Sequence, residues 1–276
     1  MRGEKNLLQK VSTHPQKTPK LIRRIHMPRF FIRQNQIDNG KISITGDDAR
    51  HISYSLRMAV GEEVTVCDMQ GVEYTCTIEG FEEGKVTLKI EESRASLNEP
   101  KIVINLYQAL PKGDKLDSVI QKAVECGARS IIPFESERCI VKIKSDAEEK
   151  KTSRRQRIAE EAAKQSGRSV LPSVLPSVKF DEMIKRAQGS DVCLFCYEGD
   201  GTVPLGKILK DIKLEEKSGE FEVSVVIGSE GGFSLAEVER AKEAGFILAG
   251  LGKRILRTET APIFVLSNLV CFTELM

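Results

Sequence analysis

The chain reads as an α/β protein in two parts, a small N-terminal β-barrel followed by a larger α/β domain with a mostly parallel sheet. Three observations carry this reading. The 276 residues exceed the roughly 150 of a typical single domain. Between residues 27 and 95, short β-rich runs are separated by Gly40, Gly46, Gly61, Gly71, Gly80 and Gly84, the punctuation of closely spaced turns. After Pro100, apolar strand-like runs alternate with helically spaced ones, as parallel sheets built from crossover units require.

In the first part, strands are predicted at Arg29–Arg33, Lys41–Thr45, Glu63–Asp68, Val72–Glu79 and Lys85–Glu91, with one helix over Asp47–Met58. That helix opens on acidic residues, which suit the positive end of its dipole. Short strands at this spacing fit a small barrel. The polar stretch Glu92–Pro100 reads as a linker. Predicted strands then follow at Ile102–Leu110, Ser130–Phe134, Val192–Tyr197 and Glu222–Ile227. The intervening helices are Asp114–Cys126, Lys150–Gly167, Val203–Lys210 and Ser234–Ala244. A final helix, Thr260–Phe272, tolerates Pro262 in its first turn. It is apolar on most faces, so it is expected to be buried, including between subunits. The domain boundaries are therefore 1–26, 27–95 and 100–276.

Charge is distributed unevenly. The net value of +2 combines +6 in residues 1–26, −5 in 27–100 and +1 in 101–276. Residues 1–26 lack the apolar core of a secretory signal and read as a basic extension, disordered or non-native to the fold. The body is mildly acidic, so no global basic field for nucleic acid is inferred. No apolar run approaches the roughly 20 residues needed to cross a bilayer, and no membrane partner is expected. Seven cysteines, an odd number without a secretory leader, fit free thiols in a reducing, cytoplasmic setting. Cys193 and Cys196 have CxxC spacing, but no second pair exists and the histidines are His14, His26 and His51. Strand thiols are preferred over a metal site, and no metal is expected.

Chemistry concentrates in two segments. In Val225-Val-Ile-Gly-Ser-Glu-Gly-Gly-Phe233 a strand ends in Gly228, and two glycines lead into a helix capped by Ser234. Ligands of α/β sheets sit outside the carboxyl ends of strands, where glycines admit close backbone approach. No G-x-G-x-x-G or P-loop pattern occurs. Glu230 has the wrong sign for a phosphate and suits ribose hydroxyls or an ammonium. In Leu251-Gly-Lys-Arg-Ile-Leu-Arg-Thr-Glu-Thr-Ala261, Lys253, Arg254 and Arg257 crowd beside a helix N-terminus. That end of a helix already favours anions, so either carboxylates such as Glu259 or an anionic substrate must neutralise the cluster.

Together these segments resemble the cofactor loops of SPOUT-class RNA methyltransferases, specifically the bacterial 16S rRNA uridine-N3 methyltransferases of the RsmE type. The likeness spans nearly everything after Met27. It includes Met27-Pro-Arg-Phe-Phe, His51…Leu56-Arg57-Met58…Gly61, and Lys112-Gly113 leading to Gln121-Lys122…Glu125…Gly127. It continues through Pro133…Ser136-Glu137-Arg138-Cys139 and Glu161-Ala-Ala…Gln165-Ser-Gly-Arg168. Two departures stand out: Ser229 replaces the family's usual proline, and Arg155 a common tryptophan.

The resemblance implies a PUA-like barrel, an α/β methyltransferase domain tied in a deep trefoil knot, and a homodimer. It implies S-adenosylmethionine as cofactor, held by Ile227, Gly228, Glu230, Gly231 and Gly232 on one wall and Leu251, Gly252, Ile255 and Leu256 on the other. The implied reaction methylates N3 of a uracil in 16S rRNA, on the assembled 30S subunit. Arg257 is then the residue for the developing uracil anion or an adjacent phosphate. Glu230 or Glu259 positions the base or receives its proton, and Glu259 has the competing role of pairing with Arg254 or Arg257.

RNA contacts are expected from placed arginines. Arg29 and Arg57 fall on the RNA-facing side that the resemblance gives the barrel. Arg138, Lys142, Lys144, Arg154, Arg155, Arg157 and Arg168 form a basic run that is either a solvated face or a phosphate contact, and Arg254 belongs with the substrate side. The rival readings are a SPOUT enzyme with another rRNA or tRNA target, and a ribosome-assembly protein that binds RNA without catalysis.

Overall fold

The computed structural model describes residues 27–143, 145–214 and 217–275. The basic extension 1–26 and Lys144 lie outside the described residues.

The first part is a curled six-stranded sheet of β1 (Arg29–Phe31), β2 (Ile37–Asp38), β3 (Lys41–Thr45), β4 (Glu63–Cys67), β5 (Val72–Glu82) and β6 (Lys85–Ala95), in the order β1-β4-β5-β6-β3-β2. All neighbours are antiparallel except β1 and β4. Alternate residues point to opposite faces of a strand, and one face carries Ile42 and Ile44, Val64 and Val66, Cys76 and Ile78, Val86 and Leu88. These form one buried core with Phe30, Ile32 and Ile52. Register shifts between Thr75 and Cys76 and between Ile78 and Gly80 bend the long β5–β6 pair, as bulges do, and so curl the sheet over its core. The predicted helix over Asp47–Met58 is shorter: α1 (Gly46–Arg50) passes into a π-turn at His51–Ser55. Only Ala49 and Ile52 are buried there, too little apolar surface to hold three full turns. The predicted linker is also half strand, since β6 runs on to Ala95.

The second part contains β7 (Ile102–Ala109), α2 (Lys115–Glu125), β8 (Ser130–Glu135), α3 (Ser145–Ser166), β9 (Ser173–Val174), β10 (Val178–Lys179) and α4 (Phe180–Ala187). It continues with β11 (Val192–Cys196), β12 (Val203–Pro204), α5 (Leu205–Asp211), β13 (Phe221–Ile227), α6 (Leu235–Glu243), β14 (Ile247–Gly250) and α7 (Ala261–Val270). The strands form one parallel sheet, β10-β8-β7-β13-β11-β14-β12, with β9 also on β8. The central strands β7 and β13 are mostly apolar and largely buried because helices cover both faces. Pro204 stops the predicted Val203–Lys210 helix from starting early, so Val203–Pro204 pairs with β14 instead.

The order of strands matters for the site. β14 lies beyond β11, two places from β13, yet the next helix packs back on β13, β7 and α2. Residues 251–260 therefore cross the carboxyl ends of the sheet to return. Helix α7 buries Ala261, Pro262, Val265, Leu266 and Leu269 and leaves Phe264 partly exposed.

The junction of the two parts corrects two expectations. Arg29 does not face solvent: its side chain is 8% exposed and donates to Glu73 Oε1 at 2.8 Å, Cys67 Sγ at 2.9 Å and the Arg168 carbonyl at 3.3 Å. Arg168 is 4% exposed, pairs with Glu99 and donates to the carbonyls of Val124 and Ala128. Arg29 reaches the second part through the Arg168 carbonyl, the Arg168 guanidinium holds Glu99 to the second part, and Lys164–Asp48 at 2.8 Å ties the two parts directly. Neither guanidinium is presented to solvent as a phosphate contact requires. Arg155 of the basic run is likewise turned inward, onto Glu148 and Ser177.

Candidate functional site

A cavity of about 410 Å³ opens at the carboxyl ends of β11, β13 and β14, within the range of small-ligand sites. Three loops build it.

The first loop follows β13. Ser229 and Gly232 close a tight turn, with the Gly232 N–H donating to the Ser229 carbonyl at 2.9 Å. Gly232 has φ +64, a left-handed conformation that side chains disfavour. A Cβ there would also meet Glu198 Oε1 at 2.9 Å. Phe233 slides its ring under Gly228, where a Cβ would lie 3.1 Å away, and packs on Phe195 at 4.1 Å between centroids. The turn is held from behind by the Ser234–Glu237 capping box, and buried Glu237 also accepts from the Glu137 N–H at 2.8 Å.

The second loop is 251–260. Thr258 ties it to the first: its hydroxyl donates to the Gly228 carbonyl at 2.7 Å and accepts from Gln108 Nε2 at 3.0 Å. Among the described residues, the backbone of 252–256 makes no hydrogen bond to other backbone, so its polar groups are available to a ligand. Gly252 has φ +108 with open space where a side chain would be. The third loop, Tyr197–Thr202, was not anticipated. It contributes Tyr197, Glu198 and Thr202 to the lining, and Thr202 fills the space beside Gly250. Its short glycine-rich stretch after an apolar strand was the available signal.

All residues singled out for the pocket except Gly231 line this cavity: Ile227, Gly228, Glu230, Gly232, Leu251, Gly252, Ile255 and Leu256, together with Arg254, Arg257 and Glu259. Gly231 sits behind the wall, its carbonyl accepting from Arg138 Nη1 at 3.2 Å.

Electrostatics depend on a residue that sequence reasoning missed. Lys115, the first residue of α2, places its ammonium 2.9 Å from Glu230 Oε1 and 3.4 Å from Glu259 Oε2. Burial pushes the Glu230 carboxyl up, but Lys115 and the Lys112 backbone N–H outweigh it and hold it below the usual carboxylate range. Glu230 in turn, with Glu259, raises Lys115. Glu259 thus pairs with Lys115, not with Arg254 or Arg257 as considered above. Those two arginines and Lys253 are exposed and have no carboxylate partner among the described residues. Arg57 and Arg138 are exposed too, whereas Arg154 pairs with Asp117 and Lys142 with Glu135.

Three buried polar atoms in or beside the cavity, Ser229 Oγ, Gln108 Oε1 and Glu259 Oε2, lack a hydrogen-bond partner, which is costly unless a ligand or water supplies one. Cys193 and Cys196, three apart on β11, point to opposite faces; Cys193 bonds the Ala187 carbonyl and Cys196 lies at the cavity. Among the described residues no group of three or more His, Cys, Asp or Glu side chains is placed to hold a metal ion.

The arrangement offers carboxylates for hydroxyl or ammonium groups, free backbone for a planar base edge, and free guanidiniums for an anion at the rim. Comparison with known proteins agrees. Residues 98–270 match the family model of an RNA methyltransferase domain, and residues 44–91 that of an RNA methyltransferase PUA domain. The chain is 37% identical over 253 residues to the ribosomal RNA small subunit methyltransferase E of Bacillus subtilis, covering 91% of this chain and 98% of that one. Its fold is similar to the ribosomal RNA small subunit methyltransferase E of Neisseria gonorrhoeae bound to S-adenosyl methionine. That likeness has a TM-score of 0.76 at 33% identity and covers 88% of this chain and 97% of that one. A methyltransferase from Legionella pneumophila in complex with the bound cofactor SAM gives a TM-score of 0.75 at 29% identity, covering 88% and 96%.

Proposed function

The chain belongs to the RNA methyltransferase family that includes ribosomal RNA small subunit methyltransferase E, and from that membership we propose that it methylates N3 of a uridine in 16S rRNA, with S-adenosylmethionine as methyl donor and the assembled 30S subunit as substrate. The observation that carries the reading is the division of charge at the cavity. Two of the three carboxylates lining it, Glu230 and Glu259, pair with Lys115, while Arg254 and Arg257 at the rim are left for an incoming anion.

The residues present fit the donor. The unbonded backbone of 252–256 suits the edge of an adenine, and the orphaned Ser229 hydroxyl and Gln108 carbonyl call for a ligand donor. Ile227, Phe233, Leu251 and Leu256 supply apolar walls. Ile227, Gly228, Glu230, Gly232, Leu251, Gly252, Ile255 and Leu256 would hold it, with Gly231 buttressing the turn. When bound, it supplies a methyl group already activated on a sulfonium.

The chain has to orient a uracil and stabilise its charge as N3 loses a proton. Arg257, permanently charged and forked, neutralises that developing anion. Glu230 and Glu259, the carboxylates that flank Lys115, position the base or take the proton. Arg57, Arg138 and Arg254 supply phosphate contacts, so binding should weaken steeply with salt. The target base must leave its stack to enter the cavity. The crossing of 251–260 over the sheet is the path a trefoil knot takes, and we read the fold as knotted. We also read the active species as a homodimer acting in the cytoplasm; no helix among the described residues is long and apolar enough to cross a membrane.

The test is labelled methyl transfer to 30S particles from a strain lacking the modification. Label at N3 of one uridine supports the assignment, and label on any other atom removes it.

A further inference from the structure

Two loops of the site converge on one ammonium at the start of α2. Lys115 opens α2, Glu230 follows β13, and Glu259 precedes α7, so the carboxylates come from opposite walls of the cavity. Nothing in its own helix explains the lysine. A cation at a helix N-terminus opposes the dipole, and Asp117, the one acidic residue of that first turn, is taken by Arg154 at 2.6 Å. We infer that Lys115 is a positioning residue of the methyl-transfer site, joining Glu230 to Glu259 across the cavity and so fixing how both carboxylates meet the target base.

This inference rests on the methyltransferase reading and adds to it a residue that makes no claim on the reacting atoms. Lys115 is more than one-third exposed, so its charge matters to the site more than to the stability of the fold. The groups facing Glu230 are few: Lys115 and the Lys112 N–H from the α2 side, and Glu259 and Arg257 from the returning loop. Arg138 lies behind Gly231, and Glu198 opposite Gly232. Among them only Lys115 contacts both carboxylates. Removing it leaves two like charges facing each other without the cation between them, although Thr258 still joins their loops. The acidic limb of turnover should then move up in pH, because Glu230 loses one of the groups that hold its titration down.

The experiment compares the full chain with Lys115→Met, Lys115→Gln and Lys115→Arg. Methyl transfer is read as kcat and KM from pH 5 to 9, and Glu230 is titrated by carboxyl-labelled NMR without cofactor. Both neutral variants should lose on the order of 100-fold in kcat, the scale of a misplaced group. They should shift the acidic limb and the Glu230 titration upward while changing the thermal midpoint little. Lys115→Arg should restore most of the turnover. Unchanged kcat and an unmoved Glu230 titration in the neutral variants would overturn the inference. So would a loss of turnover that arginine does not rescue and that leaves the titration in place. If the unaltered chain transfers no methyl group, the function reading fails, while the titration still decides whether Lys115 joins the two carboxylates.

Discussion

Thr258→Val removes one hydroxyl and leaves the shape of the side chain nearly unchanged, which makes it a sharp probe of how the two cavity loops are joined. Thr258 is 5% exposed. It loses a 2.7 Å bond to the Gly228 carbonyl and a 3.0 Å bond from Gln108 Nε2. Gln108 keeps the Ala109 carbonyl at 3.0 Å, but Gly228 is left with only a 3.5 Å contact from Gln108. One half-buried acceptor on the cavity wall is then essentially unpaired, at a cost of at most about 1–3 kcal/mol. For a domain of this size each kcal/mol moves the midpoint by about 2–4 °C, so the variant should melt several degrees lower. Thr258→Ser is the control: it keeps both hydrogen bonds and loses one buried methyl, worth about 0.8 kcal/mol. Differential scanning fluorimetry with and without S-adenosylmethionine should rank the chains as unaltered, then Ser, then Val. The Val variant should also give the smallest ligand-induced shift. A Val variant as stable as the Ser variant would refute the claim that this hydroxyl ties Gly228 to the returning loop.

Arg257→Ala should retain cofactor binding by calorimetry and lose most turnover; loss of binding instead would move Arg257 out of its substrate role. Arg168→Met should cost about 3–5 kcal/mol by stranding Glu99 and opening the carbonyls of Val124 and Ala128, seen as a large drop in the urea midpoint. A stable Arg168→Met chain with weakened RNA binding would instead restore the phosphate role. Acid stability should follow Glu73. Burial pushes that carboxyl up, but Arg29 and Arg94 outweigh it and hold it below its ordinary 4.5. Its contribution is therefore complete above that pH and is lost as pH falls through the depressed value. Glu73→Gln should lower the midpoint at pH 7 and flatten its decline below pH 4.5, and an unchanged slope would show that Glu73 is not the group responsible.

Much of the fold was legible because the local patterns agreed with the tertiary outcome. β3 was read to the residue, since Ile42 and Ile44 alternate with polar neighbours between two glycines. β13 and the Ser234 cap announced the strand, turn and helix at the site, because a buried parallel strand and a capping box both leave marks in sequence. β14 was missed: at four residues it looks like the tail of the preceding helix. The roles of the charges were the least legible part. Arg29 and Arg168 carry the same side chain as Arg57 and Arg138. What separates them is a carboxylate brought within reach by the fold, Glu73 for Arg29 and Glu99 for Arg168. Lys115 was hidden for the same reason, because Glu230 and Glu259 lie more than 100 positions away. The mild net charge of the body fits this picture, in which a few free arginines sit among many paired ones.

The central claim is tested most directly by offering the purified chain, with labelled methyl donor, to 30S particles, naked 16S rRNA and tRNA from cells lacking the modification. The label should appear on 30S particles, in 16S rRNA, at N3 of a single uridine. Label in tRNA, at another atom, or in none of the three would contradict it.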